Sequence, residues 1–214
     1  TLHIRSRGAM RGLILSQKDK NALGNDVKSI FSKYPSFEGR DLILEVTTKK
    51  PYWFSEKGTK TVVAIDYGVK LNLLRKLADR NVKVLVVTAD TSAKEILDKK
   101  PSGVFLSNGP GDPAACTYGI KTIQELLGKT PIFGVCMGHQ LLGHALGGKT
   151  FKMKFGHRGV NQPVINLEHK TVEISSHNHG YAVDPSSFSS ESGVQITHLN
   201  LNDDTCEGLE HRGH

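Results

Sequence analysis

The stretch TVVAIDYGVKLNLLRKLADRNVKVLVVT, residues 61–88, decides the fold. Its apolar runs at 62–65 and 82–88 predict two buried strands. Apolar side chains recur between them at the spacing of one helix face, at Leu71, Leu74, Leu77 and Ala78. A strand, a helix and a second strand in such close succession indicate parallel strands joined by a right-handed crossover.

The same alternation continues along the chain and sets the expected fold class. The next predicted elements are helices at 93–99, 118–127 and 141–146 and strands at 103–107 and 131–135. After Gly148 the pattern changes to strands alone, at 160–167, 171–175 and 194–199. We therefore expect an α/β protein with an open, mostly parallel sheet and helices on both sheet faces.

Composition and charge narrow the class of protein. The 214 residues are 37% hydrophobic and carry a formal net charge of +7. Residues 1–60 hold 12 basic and 6 acidic residues, so this segment alone has a net charge of +6. The remaining body is nearly neutral, so we expect no nucleic-acid ligand. No apolar run reaches the roughly 18 residues of a membrane helix, and we expect no membrane association. Three cysteines without CxxC spacing disfavour a disulfide scaffold and a zinc ribbon. We expect a cytoplasmic protein, and an organellar copy stays open.

The first 60 residues differ from the rest. A basic helical stretch at 2–8 and strand-like runs at 12–15 and 42–48 are too little to bury a core alone. Residues 1–50 are therefore either the end of a smaller N-terminal domain or a strap on the main body. Residues 51–60 are predicted as a linker, whose Trp53 and Phe54 anchor it to a domain surface.

Residues 133–140, FGVCMGHQ, place Cys136 between a buried strand and an amphipathic helix. Glycines at 134 and 138 relieve crowding where a strand turns sharply into a helix, which is the geometry of a nucleophile elbow. A thiol at a helix N-terminus is expected to have a lowered pKa. The alternative, a small buried hydrophobe, is favoured for Cys116 and Cys206.

Residues 107–113, SNGPGDP, follow a predicted strand and form a second unusual loop. Two glycines and two prolines give a rigid turn whose backbone N–H groups can approach an anion. The same residues also suit a tight turn with Asp112 capping a helix and Pro113 at its first position. The residues alone leave both interpretations open.

These motifs resemble known ones. GVCMGHQ and SNGPGDP resemble the nucleophile motif and the oxyanion loop of class I glutamine amidotransferases. AIDYGVK at 64–70, KMKFGHRGVNQPV at 152–164 and SHNHGYAVD at 176–184 resemble carbamoyl-phosphate synthase small subunits. The resemblance covers residues 1–210, with 1–50 similar to the end of the N-terminal domain of those subunits and 61–214 to their glutaminase domain.

The resemblance implies a glutaminase that releases ammonia from L-glutamine through a cysteine thioester. Cys136 would be the nucleophile, and backbone N–H groups of Gly109 and Met137 would hold the oxyanion. The implied substrate-binding residues are Gly111, Gln140, Asn178, Gly180 and Tyr181. The implied partner is a large synthetase subunit that uses ATP, bicarbonate and Mg²⁺. We expect no cofactor on this chain, which has no GxxxxGK[ST] loop.

The sequence departs from the family in one motif. Members carry His-Pro-Glu, which supplies the general base and its orienting carboxylate, whereas neither His211 nor His214 is followed by Pro and Glu. We therefore expect a chain incomplete at both ends. The alternative function is a non-catalytic glutaminase-like partner or regulatory module. A glutaminase of anthranilate or GMP synthesis is a further candidate, which the FGHRGVNQPV motif disfavours.

The other histidines have plainer interpretations. His139, one turn after Cys136, could face the thiol, although a neighbour on the same helix is poorly placed to act as the base. We expect His157, His177 and His179 to serve loop structure and domain contact. No pair has metal-ligand spacing with a carboxylate or thiol beside it, so no metal site is expected.

Overall fold

The computed structural model describes residues 2–23 and 26–212, and its centre is a five-stranded sheet. The strands are β1 (Tyr52–Ser55), β2 (Lys60–Asp66), β3 (Val82–Thr88), β4 (Gly103–Leu106) and β5 (Ile132–Gly134). They lie in the order β1-β3-β2-β4-β5, with β1 antiparallel to β3 and all other pairs parallel. The predicted open, mostly parallel sheet is confirmed.

Helices cover both faces of this sheet, as predicted. They are α5 (Leu71–Ala78), α6 (Ala93–Asp98), α7 (Thr117–Leu126) and α8 (Met137–Ala145). Side chains of β2 alternate between two cores: Val63 and Ile65 pack with α6, α7 and α8, while Ala64 packs with Leu74 of α5. Burial on both faces explains why the strand is a continuous apolar run. Leu71 departs from the prediction, because it is 53% exposed at the start of α5.

The second half of the chain forms a small closed barrel in the order β6-β7-β9-β8. The strands are β6 (Lys149–Asn166), β7 (Thr171–Asp184), β8 (Val194–Asn200) and β9 (Cys206–His211). The predicted strands at 160–167, 171–175 and 194–199 fall within β6, β7 and β8. The sequence pattern misses β9 and the long extensions of β6 and β7. Buried polar side chains such as His157 and Asn200 replace apolar ones there, so the usual alternation is lost.

The N-terminal segment contains four short helices and no strand before β1 among its described residues. They are α1 (Leu2–Arg7), α2 (Gln17–Leu23), α3 (Val27–Lys33) and α4 (Ile43–Val46). The strands predicted at 12–15 and 42–48 are wrong. The first run is irregular, with Ile14 100% exposed, and the second holds α4, where the Asp41 carboxylate accepts the Ile43 N–H at 2.9 Å. Ile43 is 1% exposed in the main core, so α4 packs on the main body.

The stretch predicted as a linker contains the edge strand β1. Tyr52 pairs with Val86 and Trp53 with Leu85 of β3. Phe54 packs against the core beneath α5, whereas Trp53 is 45% exposed. Of the two predicted anchors, Phe54 is therefore the one that holds the segment. None of the helices in the described residues has the length and apolar character needed to cross a membrane.

Candidate active site

Cys136 lies at the sharp turn between β5 and α8, where the nucleophile elbow is predicted. Its backbone has φ 54° and ψ −109°, a conformation that costs an L-residue about 1–3 kcal/mol. The flanking glycines are required by close packing. A Cβ on Gly138 would lie 2.3 Å from the carbonyl oxygen of Leu106, and a Cβ on Gly134 would lie 2.5 Å from the backbone of Gly138. The elbow geometry is confirmed.

The Cys136 thiol is partly buried, and this changes the expected charge state. Burial raises the pKa of Cys136, and the negative charge of Glu207 adds to that effect. The backbone N–H groups of Met137 and Gly109, with the charge of Lys70, act in the opposite direction. Burial prevails, so the predicted lowering of the pKa is wrong. The two N–H groups expected to hold an oxyanion are thus among the groups that favour the thiolate.

The 107–113 loop is fixed by its own polar side chains. Asn108 accepts the N–H of Lys70 at 3.0 Å and donates to the carbonyl of Gly68 at 2.9 Å. Gly109 lies so close to Tyr67 that a Cβ would be 2.2 Å from its carbonyl oxygen. A side chain at 109 would therefore displace the backbone of this loop.

Asp112 closes the other end of this loop. Its carboxylate accepts the N–H of Ala114 at 3.1 Å, capping a short 3₁₀ turn at Pro113–Ala115, and the N–H of Gly39 at 2.9 Å. The capping interpretation is therefore confirmed. The loop also lines the cleft at the thiol, so the two interpretations of its sequence are compatible.

The structure brings all the predicted site residues into one open cleft of about 1380 Å³. They are Gly109, Gly111, Cys136, Met137, Gln140, Asn178, Gly180 and Tyr181. The Cys136 sulfur lies 4.0 Å from the carbonyl oxygen of Asn178. Gln140, only 5% exposed, donates from Nε2 to the carbonyl of Tyr181 at 2.7 Å. This bond joins α8 to the barrel and fixes one wall of the cleft.

A cluster of three histidines and Glu207 lies in the barrel, and the sequence did not predict it. Three of its members, His177, His179 and Glu207, line the same cleft. His157 of β6, His177 and His179 of β7 and Glu207 of β9 each offer one ligand atom, all within 4.8 Å of one another. The expected roles in loop structure are therefore wrong, because all three histidines lie on strands. The spacing His177-x-His179 puts both side chains on one strand face and was the available signal. Glu207 carried no signal, because the strand pattern misses β9.

His139 lines the cleft and is partly buried. Its Nε2 atom has no exposed surface and no hydrogen-bond partner within the described residues. Burial lowers the pKa of His139 to about 4, so the ring is neutral at pH 7. The expectation that His139 is poorly placed to act as the base stays a prediction.

An open parallel sheet with a cysteine at a strained strand-to-helix turn defines the class of α/β proteins with a thiol nucleophile. Residues 63–214 match the family model described as glutamine amidotransferase class-I. The chain belongs to that family. Two solved structures share the fold. A protein of the GMP synthase type from Thermoplasma acidophilum has a TM-score of 0.61 at 18% identity over 72% of this chain and 78% of that one. A glutamine amidotransferase from Thermotoga maritima has a TM-score of 0.56 at 17% sequence identity, over 71% of both chains.

Closer relatives in sequence are carbamoyl phosphate synthase small chains. The chain is 47% identical to the chloroplastic small chain of Oryza sativa subsp. japonica, over 99% of this chain and 49% of that protein. It is 50% identical to the small chain of Synechococcus sp., over 99% of this chain and 56% of that protein. The chain thus spans about half the length of these relatives.

Proposed function

We propose that this chain is the glutaminase part of a glutamine-hydrolysing carbamoyl-phosphate synthase. The observation that carries the proposal is the elbow at Cys136, where the backbone N–H groups of Gly109 and Met137 favour a negative charge on the sulfur. A nucleophile with two convergent backbone donors is the arrangement that acyl transfer requires. The sequence similarity to carbamoyl phosphate synthase small chains supports the choice of reaction.

The chemistry proceeds in two steps. The Cys136 thiolate attacks the side-chain amide carbon of glutamine, and the carbonyl oxygen becomes an oxyanion held by the N–H groups of Gly109 and Met137. The C–N bond then breaks, and the nitrogen leaves as ammonia with a proton from a general acid. Water next attacks the thioester carbon, giving glutamate and restoring the thiol. Both steps need the tetrahedral geometry that the two donors favour.

The substrate's amino-acid end would lie against the barrel wall. Asn178, Gly180 and Tyr181 are on β7 opposite the nucleophile, and Gly111 lines the cleft from the oxyanion loop. Gln140 links this wall to α8, so it sets the separation between the nucleophile and the proposed recognition residues.

The test is ammonia release from glutamine, with intact-mass detection of a glutamyl adduct on the protein. We expect both signals for the natural sequence and neither for Cys136→Ala. Cys116→Ala, in the main core, is the matched control and should keep both. Ammonia release that survives Cys136→Ala would refute the mechanism. A properly folded chain that gives neither signal would favour the non-catalytic module.

We infer further that a large synthetase subunit binds the N-terminal segment and receives the ammonia. The segment carries most of the net positive charge and several exposed apolar side chains, among them Leu2, Ile4 and Ile14 at 81%, 52% and 100% exposure. Such a mixed surface suits an acidic or mixed-charge protein partner.

Replacing these three residues by serine should weaken binding to a cognate large subunit in a titration. Removing residues 1–60 is unsuitable, because that deletion also removes β1 and Ile43. Val172→Ser, at a 57% exposed site on the barrel, is the control. Equal affinity of the triple variant and the control would refute this role of the segment.

A further inference from the structure

Three imidazoles and a carboxylate meet inside the barrel, and we call His157, His177, His179 and Glu207 the barrel cluster. Their side chains are only 9–12% exposed, and the four ligand atoms lie within 4.8 Å of one another. We propose that the barrel cluster binds one divalent transition-metal ion of the zinc class. The ion would tie together β6, β7 and β9.

The imidazole rings are oriented as ligands by contacts on their outer nitrogens. A carboxylate and a backbone carbonyl can only accept hydrogen bonds, so the outer nitrogens that face Asp203 and Tyr181 carry a proton. The inner nitrogens face the Glu207 carboxylate, and a second proton or a metal ion must lie between each nitrogen and that anion. The outer contacts are His157 Nε2 to Asp203 Oδ2 at 3.0 Å, His179 Nδ1 to the Tyr181 carbonyl oxygen at 2.9 Å and His177 Nε2 to Ser175 Oγ at 2.6 Å. Metal-binding histidines are held by such partners.

Three distances between the inner atoms are close to those around a tetrahedral ion. Zinc–ligand bonds of about 2.0–2.1 Å place tetrahedral ligands about 3.3–3.4 Å apart. His177 Nδ1 and His179 Nε2 are 3.4 Å apart, and each lies 3.3 Å from an oxygen of Glu207. His157 Nδ1 lies closer to Glu207, at 2.8 Å, and would move outward by about half an ångström on binding.

Charge favours a cation at this point. Three inner nitrogens surround the Glu207 carboxyl group at 2.8–3.3 Å. Inner nitrogen lone pairs facing an anion repel it unless a proton or a metal ion lies between them. A zinc-binding experiment distinguishes a proton from a metal ion at this position.

The ligand set selects the class of ion. Three imidazoles with one carboxylate suit Zn²⁺ or Co²⁺ and disfavour Mg²⁺ and Ca²⁺, which prefer oxygen ligands. Four protein ligands complete a tetrahedron and leave no open position, which is the arrangement of a structural site. The expected consequence is a barrel stabilised by the ion.

The experiment is zinc binding by the whole chain after removal of metals with a chelator. We expect one tight Zn²⁺ per chain by competition with a chromophoric chelator, a higher melting temperature, and the intense visible absorption of tetrahedral cobalt when Co²⁺ replaces it. His177→Ala and Glu207→Gln should weaken binding about 100-fold or more. His169→Ala, at an exposed position in the β6–β7 turn, should bind as the natural sequence does.

Further variants keep the proposal falsifiable. Cys136→Ser should retain the ion, which separates the barrel cluster from zinc capture by the thiol in the same cleft. Asp203→Asn leaves all four ligands in place and should weaken binding about 10-fold through the outer contact of His157. Zinc binding that is absent, that is lost in Cys136→Ser, or that is equal in His177→Ala and His169→Ala would overturn the proposal and leave a proton as the occupant. None of these readouts depends on glutamine hydrolysis.

Discussion

The strained backbone at Cys136 makes a quantitative prediction about stability. The φ of 54° with ψ of −109° costs an L-residue about 1–3 kcal/mol, and glycine adopts it without that cost. Glycine loses about 0.5–1 kcal/mol through its greater freedom in the unfolded chain. Cys136→Gly should therefore be more stable than Cys136→Ala by about 1 kcal/mol. For a chain of this length that corresponds to about 3 °C in melting temperature.

Denaturant unfolding of both variants measures the difference, and a second pair of variants provides the control. Cys116 has an ordinary φ of −85°, so Cys116→Gly should be less stable than Cys116→Ala by about 0.4–1 kcal/mol. The order of stability thus reverses between the two sites. If alanine is as stable as glycine at position 136, the turn is unstrained and the elbow argument fails.

Three other measurements test the site and its packing. Gly138→Ala should lower the free energy of unfolding by about 1–3 kcal/mol and reduce glutamine hydrolysis, because its Cβ would meet the Leu106 carbonyl oxygen at 2.3 Å. Gly12→Ala, with no neighbour within 4 Å, is the control and should change neither quantity. Because burial lowers the pKa of His139 from 6.5 to about 4, the fold favours the neutral ring. The contribution of His139 to the unfolding free energy should therefore fall by about 2 kcal/mol between pH 7 and pH 5, and His139→Asn should remove this contribution. Peptide mapping after brief labelling with a glutamine-like electrophile should find Cys136 first, since the other two cysteines are at most 2% exposed; equal labelling would contradict this.

The sheet could be predicted from the sequence because burial on both faces leaves a plain signal. Short, continuous apolar runs such as 82–88 are typical of buried strands, and the intervening helices show a regular period. The strand predicted at 42–48 fails for a local reason. Its apolar residues are as compatible with a helical turn, and the bond from the Ile43 N–H to Asp41 favours the turn.

The nucleophile was predictable from the sequence, and the barrel cluster beside it was not. Cys136 has diagnostic glycines on either side, whereas the barrel cluster depends on β9, which the sequence pattern does not reveal. The charge state of the thiol was also missed. The helix N-terminus is visible in the sequence, but the burial that raises the pKa depends on how the barrel wall packs against α8.

The edge strand β1 has a practical consequence for any shortened form of this protein. It covers the outer side of β3, where Tyr52 pairs with Val86. A fragment starting at residue 61 would leave the hydrogen-bonding groups of that apolar strand unpaired and open to strands of other molecules. Such a fragment should self-associate and precipitate, although the family match begins only at residue 63. A workable domain boundary must therefore lie before Tyr52.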